Sequence, residues 1–343
     1  MKKRDNHNYV VDIIRFIAAI FVIFEHSFRL ANNTYDPLDM LTNKVVHFGA
    51  TSVAIFFTFS GYFIAKSLIK NGDKNYISKR LKRIIPELLI VVLFTIFVIG
   101  PVYTNLPLVK YFTNLNTYKY LLNAFMIPIH SLPGVFSNNI YGSTINGALW
   151  TLSVEFLCYI YLLIVYKMKL LNEKRINMVY ICSVFLGLFG LVFISFVSKY
   201  MNVELLKSAI RPFLVFITAS FIGVKNKKID VRLFIVSLFV LLCSILSSNY
   251  YLINASYIVF LPISVIYISN EVSLNGSKPI KFLGEISYPV YLFGFAVQQC
   301  VVSSFGGSMS PYLNFVISTI ISIILGGLLN CLMTVLRKKY KWL

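Results

Sequence analysis

The sequence predicts an all-α polytopic membrane bundle of about ten transmembrane helices, with both termini in the cytoplasm. Three observations carry this. Of the 343 residues, 57% are apolar and 13% charged, whereas soluble domains carry about 25% charged residues. Apolar runs recur at lengths near the roughly 20 residues that cross a bilayer as helix. Basic residues punctuate those runs on alternate sides. The net charge of +19 does not indicate nucleic acid, because a nucleic-acid surface needs one contiguous basic patch.

Helices are expected near 11–30, 46–69, 84–103, 148–166 and 176–197. Five more are expected near 208–224, 233–248, 252–270, 282–305 and 312–336. The leading MKKRDNHN lacks a small-residue cleavage site, so the first run reads as an uncleaved span. The connections 1–10, 70–83, 167–175, 225–232, 271–281 and 337–343 hold 23 Lys and Arg residues. The alternate connections hold five: Lys44, Lys110, Lys119, Lys199 and Lys207. That asymmetry places the first set inside. The 104–147 connection, with Pro107, Pro128 and Pro133, reads as re-entrant or interfacial. No internal repeat and no appended soluble domain is expected, so 1–343 reads as one domain. Cys158, Cys182, Cys243, Cys300 and Cys331 all sit in apolar runs, which suits packing and indicates neither a disulfide frame nor a metal site.

The first run, VVDIIRFIAAIFVIFEHSF, holds Arg15 and His26. Eleven steps at about 100° return to within about 20°, so the two share a face. They lie about 16 Å apart along the axis. A charge inside a bilayer costs about 2.5–3.5 kcal/mol on insertion scales, which makes both functional candidates. Asp12, one turn before Arg15, is expected to neutralise it. His26 alone suits a hydrogen bond between helices. Glu25 beside it and Glu155 in the fourth run favour catalysis, since a carboxylate on one imidazole nitrogen raises the basicity of the other. Glu155 pairs either with His26 or with another polar group. Ser60-Gly61, in FFTFSGYFIAKSL, suits close helix approach rather than a nucleophile. The basic loop Lys70, Lys74, Lys79, Arg80, Lys82, Arg83 is topogenic at least. Arg80 and Arg83, three apart, also present two guanidinium forks that suit a polyphosphate. Arg211 reads as snorkelling to the interface, with acceptor binding as the other reading. His7, His47 and His130 receive no catalytic role.

Together these segments resemble the membrane-bound acyltransferase-3 family, integral-membrane O-acyltransferases of sugars and cell-surface polysaccharides. Arg15 and His26 match its first-helix pattern of Arg or Lys, ten residues, then His. FFTFSGYFIAKSL is similar to its second-helix motif, and R-L-K-R-I-I-P to its R-x-x-R motif. LWTLSVEFLCYIY resembles W-[ST]-L-x-V-E, giving Trp150, Ser153 and Glu155. ISYPVYLFG, with Ser287, Tyr288 and Tyr291, resembles a late I-S-Y-x-x-Y-L motif. There the family usually has Trp-His, and this chain has Phe293-Gly294.

The resemblance implies transfer of an acyl group from cytoplasmic acyl-CoA to a sugar hydroxyl at the outer side of the membrane. Acetyl-CoA is the expected co-substrate, with succinyl or longer chains left open, and no permanently bound cofactor or metal is expected. His26 would be general base or acyl carrier, with Glu155 and Arg15 as the other catalytic residues. Arg80, Arg83 and Arg15 would bind acyl-CoA, and Asp12, Glu25, Ser60, Trp150, Ser153, Tyr288 and Tyr291 would support the site. Expected partners are the bilayer, acyl-CoA and a polysaccharide or lipid-linked sugar acceptor, not nucleic acid. A homo-oligomer or polysaccharide-synthesis partners stay open. The bias towards Lys, Asn and Ile suits an AT-rich bacterial genome, hence a bacterial plasma membrane. The alternative is a glycopolymer exporter or a subunit of one, although no inverted repeat or pair of broken helices stands in the sequence. A non-catalytic scaffold would leave Arg15, His26 and Glu155 without a purpose.

Overall fold

Each apolar run becomes a helix, and polar residues set where the helices start and stop. In a computed structural model describing residues 7–197 and 204–339, the long helices are α1 (Tyr9–Asn32), α2 (Phe48–Asn71), α3 (Tyr76–Tyr103), α4 (Trp150–Lys167) and α5 (Ile176–Val197). They continue with α6 (Glu204–Lys225), α7 (Val231–Ser247), α8 (Tyr250–Glu271), α9 (Lys278–Ser304) and α10 (Pro311–Lys339). Eight of the described helices are long and apolar enough to cross a membrane. The two others are α7, with 17 residues, and α1, which carries Asp12, Arg15, Glu25 and Arg29. The chain is an all-helical polytopic membrane protein. Lys2, Lys3, Arg4, Lys199 and Lys341, used in the charge count, lie outside the described residues.

Caps explain several boundaries. The Asn8 side chain accepts from the Val11 N–H at 3.2 Å, opening α1, and the His47 Nδ1 accepts from Ala50 at 3.1 Å, opening α2. Each satisfies one of the free N–H groups of a first helical turn. Inside α3 a wider turn at Thr95–Ile99 perturbs the regular ladder. The buried Tyr111 hydroxyl donates to the Ile96 carbonyl there at 2.9 Å.

The helices α1, α2, α6 and α9 form the packed centre. Against α1 lies α9, and α2 packs most extensively on α6. Gly61 makes that second contact possible, because a Cβ there would press on the Phe216 carbonyl oxygen. The Ser220 hydroxyl donates to the Gly61 carbonyl at 3.2 Å. Gly61 is therefore a packing position, as expected, while Ser60 beside it turns to a different neighbour. Gly61→Leu is expected to cost about 1–3 kcal/mol through overpacking, read as a lower melting temperature in detergent by circular dichroism. By contrast α5 turns Phe185, Phe189 and Phe193 outward, as a lipid-facing helix does. Cys182, Cys243 and Cys331 are also exposed, so of the five cysteines only Cys158 is fully buried packing.

The 104–147 connection contains no helix long enough to cross; its longest helices, Leu108–Thr113 and Tyr120–Phe125, have six residues each. Its last part runs down into the bundle. The Asn139 amide donates to Gln299 Oε1 at 2.8 Å, and the Asn146 amide to the Leu292 carbonyl at 2.8 Å. Leu292 stands at the middle of α9, so α4 begins at mid-depth rather than at the surface. This position decides what α4 can reach.

Candidate active site

Arg15 and His26 open onto two different cavities. For orientation, the end of the bundle carrying the Lys70–Arg83 loop is the basic end, and the opposite one is the far end. Towards the basic end, a cavity of about 120 Å³ is lined by Arg15, Ser60, Arg80, Arg83, Glu155 and Tyr288, among others. Towards the far end, a cavity of about 690 Å³ is lined by His26, Arg29, His47, Trp150 and Arg211, among others. Val53, Thr151 and Tyr291 line both. The Tyr291 and Thr151 hydroxyls are 2.5 Å apart, and Tyr291 also donates to the Ala148 carbonyl at 2.8 Å. One layer of side chains separates the two spaces.

The basic-end cavity carries an excess of positive charge. Arg15, Arg80 and Arg83 face it, against the single carboxylate of Glu155. Both the Ser60 and Tyr159 hydroxyls donate to that carboxylate. No ion pair within 4.0 Å occupies Arg15 among the described residues. The buried Arg80 Nε has no hydrogen-bond partner, while its guanidinium lies 5.6 Å from the Tyr76 ring centre. Unmatched donors of this kind fit an anionic ligand.

Behind the wall of the far-end cavity, Glu25 sits among three basic side chains that line it, His26, Arg29 and His47. It is 2% exposed. Its Oε2 lies 3.3 Å from His26 Nε2, and its Oε1 accepts from Arg29 Nε at 3.0 Å and lies 3.5 Å from His47 Nδ1. Arg29 also donates to Asp39 at 2.7 Å. Asp39 sits on the short helix Pro37–Leu41 between α1 and α2. Burial pushes its carboxyl above the ordinary range, and Arg29 works against that shift. His26 Nδ1 is buried and has no hydrogen-bond partner, and the Phe295 ring meets the imidazole edge-on at 5.0 Å. Glu25 Oε2 likewise makes no hydrogen bond, so the imidazole stands within ion-pair distance of a carboxylate with neither nitrogen hydrogen-bonded among the described residues. Glu25, Asp36 and His47 bring ligand atoms within 4.8 Å of one another. Glu25 Oε1, both Asp36 oxygens and His47 Nδ1 already accept protein hydrogen bonds, from Arg29, from the backbone at Leu38, Asp39 and Phe48, and from Ala50, while Glu25 Oε2 accepts none; the occupied atoms favour a structural cluster over a metal centre.

A family model described as an acyltransferase domain matches residues 8–331. The chain belongs to the acyltransferase-3 family. It is 28% identical over 300 residues to an "O-acetyl transferase" of Shigella phage Sf6, covering 85% of each chain. It is 30% identical over 167 residues to "Nodulation protein 10" of Rhizobium leguminosarum bv. viciae, covering 45% of this chain and 43% of that protein. No solved structure matches. The protein is an acyltransferase of the membrane, and its relatives support O-acyl transfer in general.

Three candidate residues are held by partners other than His26 or Arg15. Glu155 does not meet His26; it lines the basic-end cavity, bonded to Ser60 and Tyr159. The reason is the mid-depth start of α4, which carries Glu155 a turn deeper than Thr151 on the same face. Asp12 pairs with His7 at 2.5 Å rather than with Arg15. Ser153 donates to the Met126 carbonyl at 2.5 Å, so it anchors the 104–147 connection. Other expectations find a place. Tyr288 lines the basic-end cavity and donates to the Ile84 carbonyl at 3.2 Å, and Trp150 lines the far-end cavity. At the Phe293-Gly294 departure, Gly294 packs against Ile23 of α1. His47, set aside in the sequence, belongs to the Glu25 cluster. Its only sequence signal was its place just before an apolar run, which reads equally as a cap.

Proposed function

We propose that this acyltransferase moves an acyl group, acetyl by expectation, from cytoplasmic acyl-CoA to a sugar hydroxyl on the outer side of a bacterial plasma membrane. The observation that carries this is the pair of cavities meeting at Val53, Thr151 and Tyr291. One presents guanidinium groups at the basic end, and the other presents His26. The basic-end cavity, at about 120 Å³, is below the roughly 300–1,000 Å³ of whole-ligand pockets. It suits the thin pantetheine arm, with the nucleotide phosphates held at the mouth by Arg80 and Arg83. The far-end cavity, at about 690 Å³, suits a sugar acceptor.

In the direct route, His26 takes the proton of the acceptor hydroxyl as its oxygen attacks the thioester carbonyl. The C–O bond forms, the C–S bond breaks, and the proton passes to the leaving thiolate. Glu25, with its Oε2 3.3 Å from His26 Nε2, is the carboxylate nearest the imidazole and the one placed to offset its charged form. Through a covalent route, His26 would carry the acyl group between the two substrates.

The donor assignment is tested by acetyl-CoA titration of protein in nanodiscs. The double variant Arg80→Ala, Arg83→Ala is expected to bind acetyl-CoA about 10–100-fold more weakly, given two charge-assisted contacts of about 1.5–3 kcal/mol each and partial exposure to solvent. Wild-type affinity should fall as salt rises, and the double variant should respond less. Equal affinity and equal salt dependence would remove acyl-CoA from this cavity.

A further inference from the structure

Along α9, spacings of three and four put Tyr288, Tyr291 and Phe295 on one helix face. That face runs past the junction of the two cavities. Tyr288 lines the basic-end cavity, Tyr291 lines both, and the Phe295 ring meets the His26 imidazole at 5.0 Å. Tyr291 therefore stands one helical turn, about 6 Å of axial rise, from the ring against His26, on the side of the arginines. The same order recurs on α4. Thr151 lines both cavities, and Glu155, one turn further, lines the basic-end one.

The two hydroxyls at the junction hold two protons for one carbonyl. Both reach the Ala148 carbonyl, Tyr291 at 2.8 Å and Thr151 at 3.1 Å, and they lie 2.5 Å from each other. Either one satisfies that carbonyl. The other proton then rests on the neighbouring hydroxyl and is free to turn to a new acceptor. Tyr291 is 7% exposed and Thr151 6%, and a donor so buried stabilises a developing negative charge far more than it would in water. Val53, the third residue shared by the cavities, offers no side-chain donor.

We propose that Tyr291, with Thr151 beside it, donates a hydrogen bond to the thioester oxygen as the tetrahedral intermediate forms. The proposal rests on the acyl-transfer reading and adds a catalytic residue to it. As the acceptor oxygen bonds to the carbonyl carbon, the C=O π electrons move onto the carbonyl oxygen and His26 takes the acceptor's proton. The Tyr291 O–H turns to the new anion and keeps its own proton, while Thr151 holds the Ala148 carbonyl. Collapse re-forms the C=O bond and breaks the C–S bond, and the proton on His26 passes to the leaving sulfur. The covalent route through His26 forms an oxyanion at the same place.

The test measures acetyl transfer by the full chain in nanodiscs onto surface polysaccharide of the host bacterium, freed of its esters by mild base. Tyr291→Phe is expected to lower kcat about 10²–10³-fold, the loss on removing one oxyanion donor, with acetyl-CoA affinity within about twofold of wild type. Thr151→Ser should stay near wild type. Thr151→Val, which leaves Tyr291 alone on the Ala148 carbonyl, should lose about tenfold. Fluoroacetyl-CoA supplies a readout that a packing role would not move. Its fluorine withdraws negative charge from the oxyanion, so the Tyr291→Phe deficit should shrink to about tenfold or less with this donor. Deficits of equal size with both donors would leave Tyr291 a packing role and overturn the inference, as would wild-type kcat in Tyr291→Phe. Absence of acetyl transfer by wild type would overturn the donor reading and this inference with it. Transfer by wild type with equal deficits would sink this inference alone.

Discussion

His26→Ala is expected to lower acyl transfer about 10²–10⁴-fold, the range that a positioned general base contributes, while acetyl-CoA affinity stays within about twofold of wild type. The two measurements separate because His26 lines one cavity and Arg15, Arg80 and Arg83 line the other. An equal loss of acetyl-CoA binding would mean that the donor site extends to His26 or that the fold has changed. Activity retained in the variant would remove His26 from the chemistry. Incubating wild type with radiolabelled acetyl-CoA and no acceptor tests the two routes. A label that survives denaturation and is absent from His26→Ala would support the acyl-imidazole, and its absence would leave direct attack.

Exchanging the two carboxylates for amides should produce different failures. Glu25→Gln removes the charge 3.3 Å from His26 Nε2 and the partner of Arg29 at 3.0 Å. Its expected effect is a kcat lowered at least about tenfold, with the alkaline plateau of the pH profile reached at a different pH and acetyl-CoA KM little changed. Glu155→Gln alters the Ser60 and Tyr159 cluster beside Arg15. It should act mainly on acetyl-CoA KM and leave the pH profile of kcat in place. The reverse pattern would restore Glu155 as the partner of His26 and refute the assignment of Glu25. Melting temperatures of both proteins identify any loss that is merely structural.

How much of this was legible follows from where each residue's position is decided. Arg15 and His26 stood out because a charge or a histidine in an apolar run is costly and therefore selected for a reason. Arg80 and Arg83 were legible because a spacing of three places both on one helix side without reference to anything distant. Glu155 was left open between two partners because its depth depends on tertiary contacts. Asn146 ties the start of α4 to the middle of α9, and no local pattern records that. Glu25 was read as a supporting residue, although its adjacency to His26 in the chain was the better guide. Gly61 was read correctly as a packing position, since a missing side chain inside a membrane helix has few other uses. Arg211 was read as snorkelling to the interface or binding acceptor, but its lack of a carboxylate partner among the described residues is visible only once the neighbouring helices are in place.

The single layer formed by Val53, Thr151 and Tyr291 has an electrical consequence. Where two aqueous recesses approach each other through a bilayer, the membrane voltage no longer falls evenly over some 30 Å of hydrocarbon. It concentrates on whatever thin insulator remains between them. One elementary charge crossing that layer would exchange about 2.3 kcal/mol per 100 mV with the membrane. On the proposed reading, a neutral acyl group would cross it without electrical work, whereas the phosphates of a coenzyme or a stray proton would not. The Tyr291 and Thr151 hydroxyls, 2.5 Å apart, would then stand where the chain has to be both permeable to a reaction and resistant to a current.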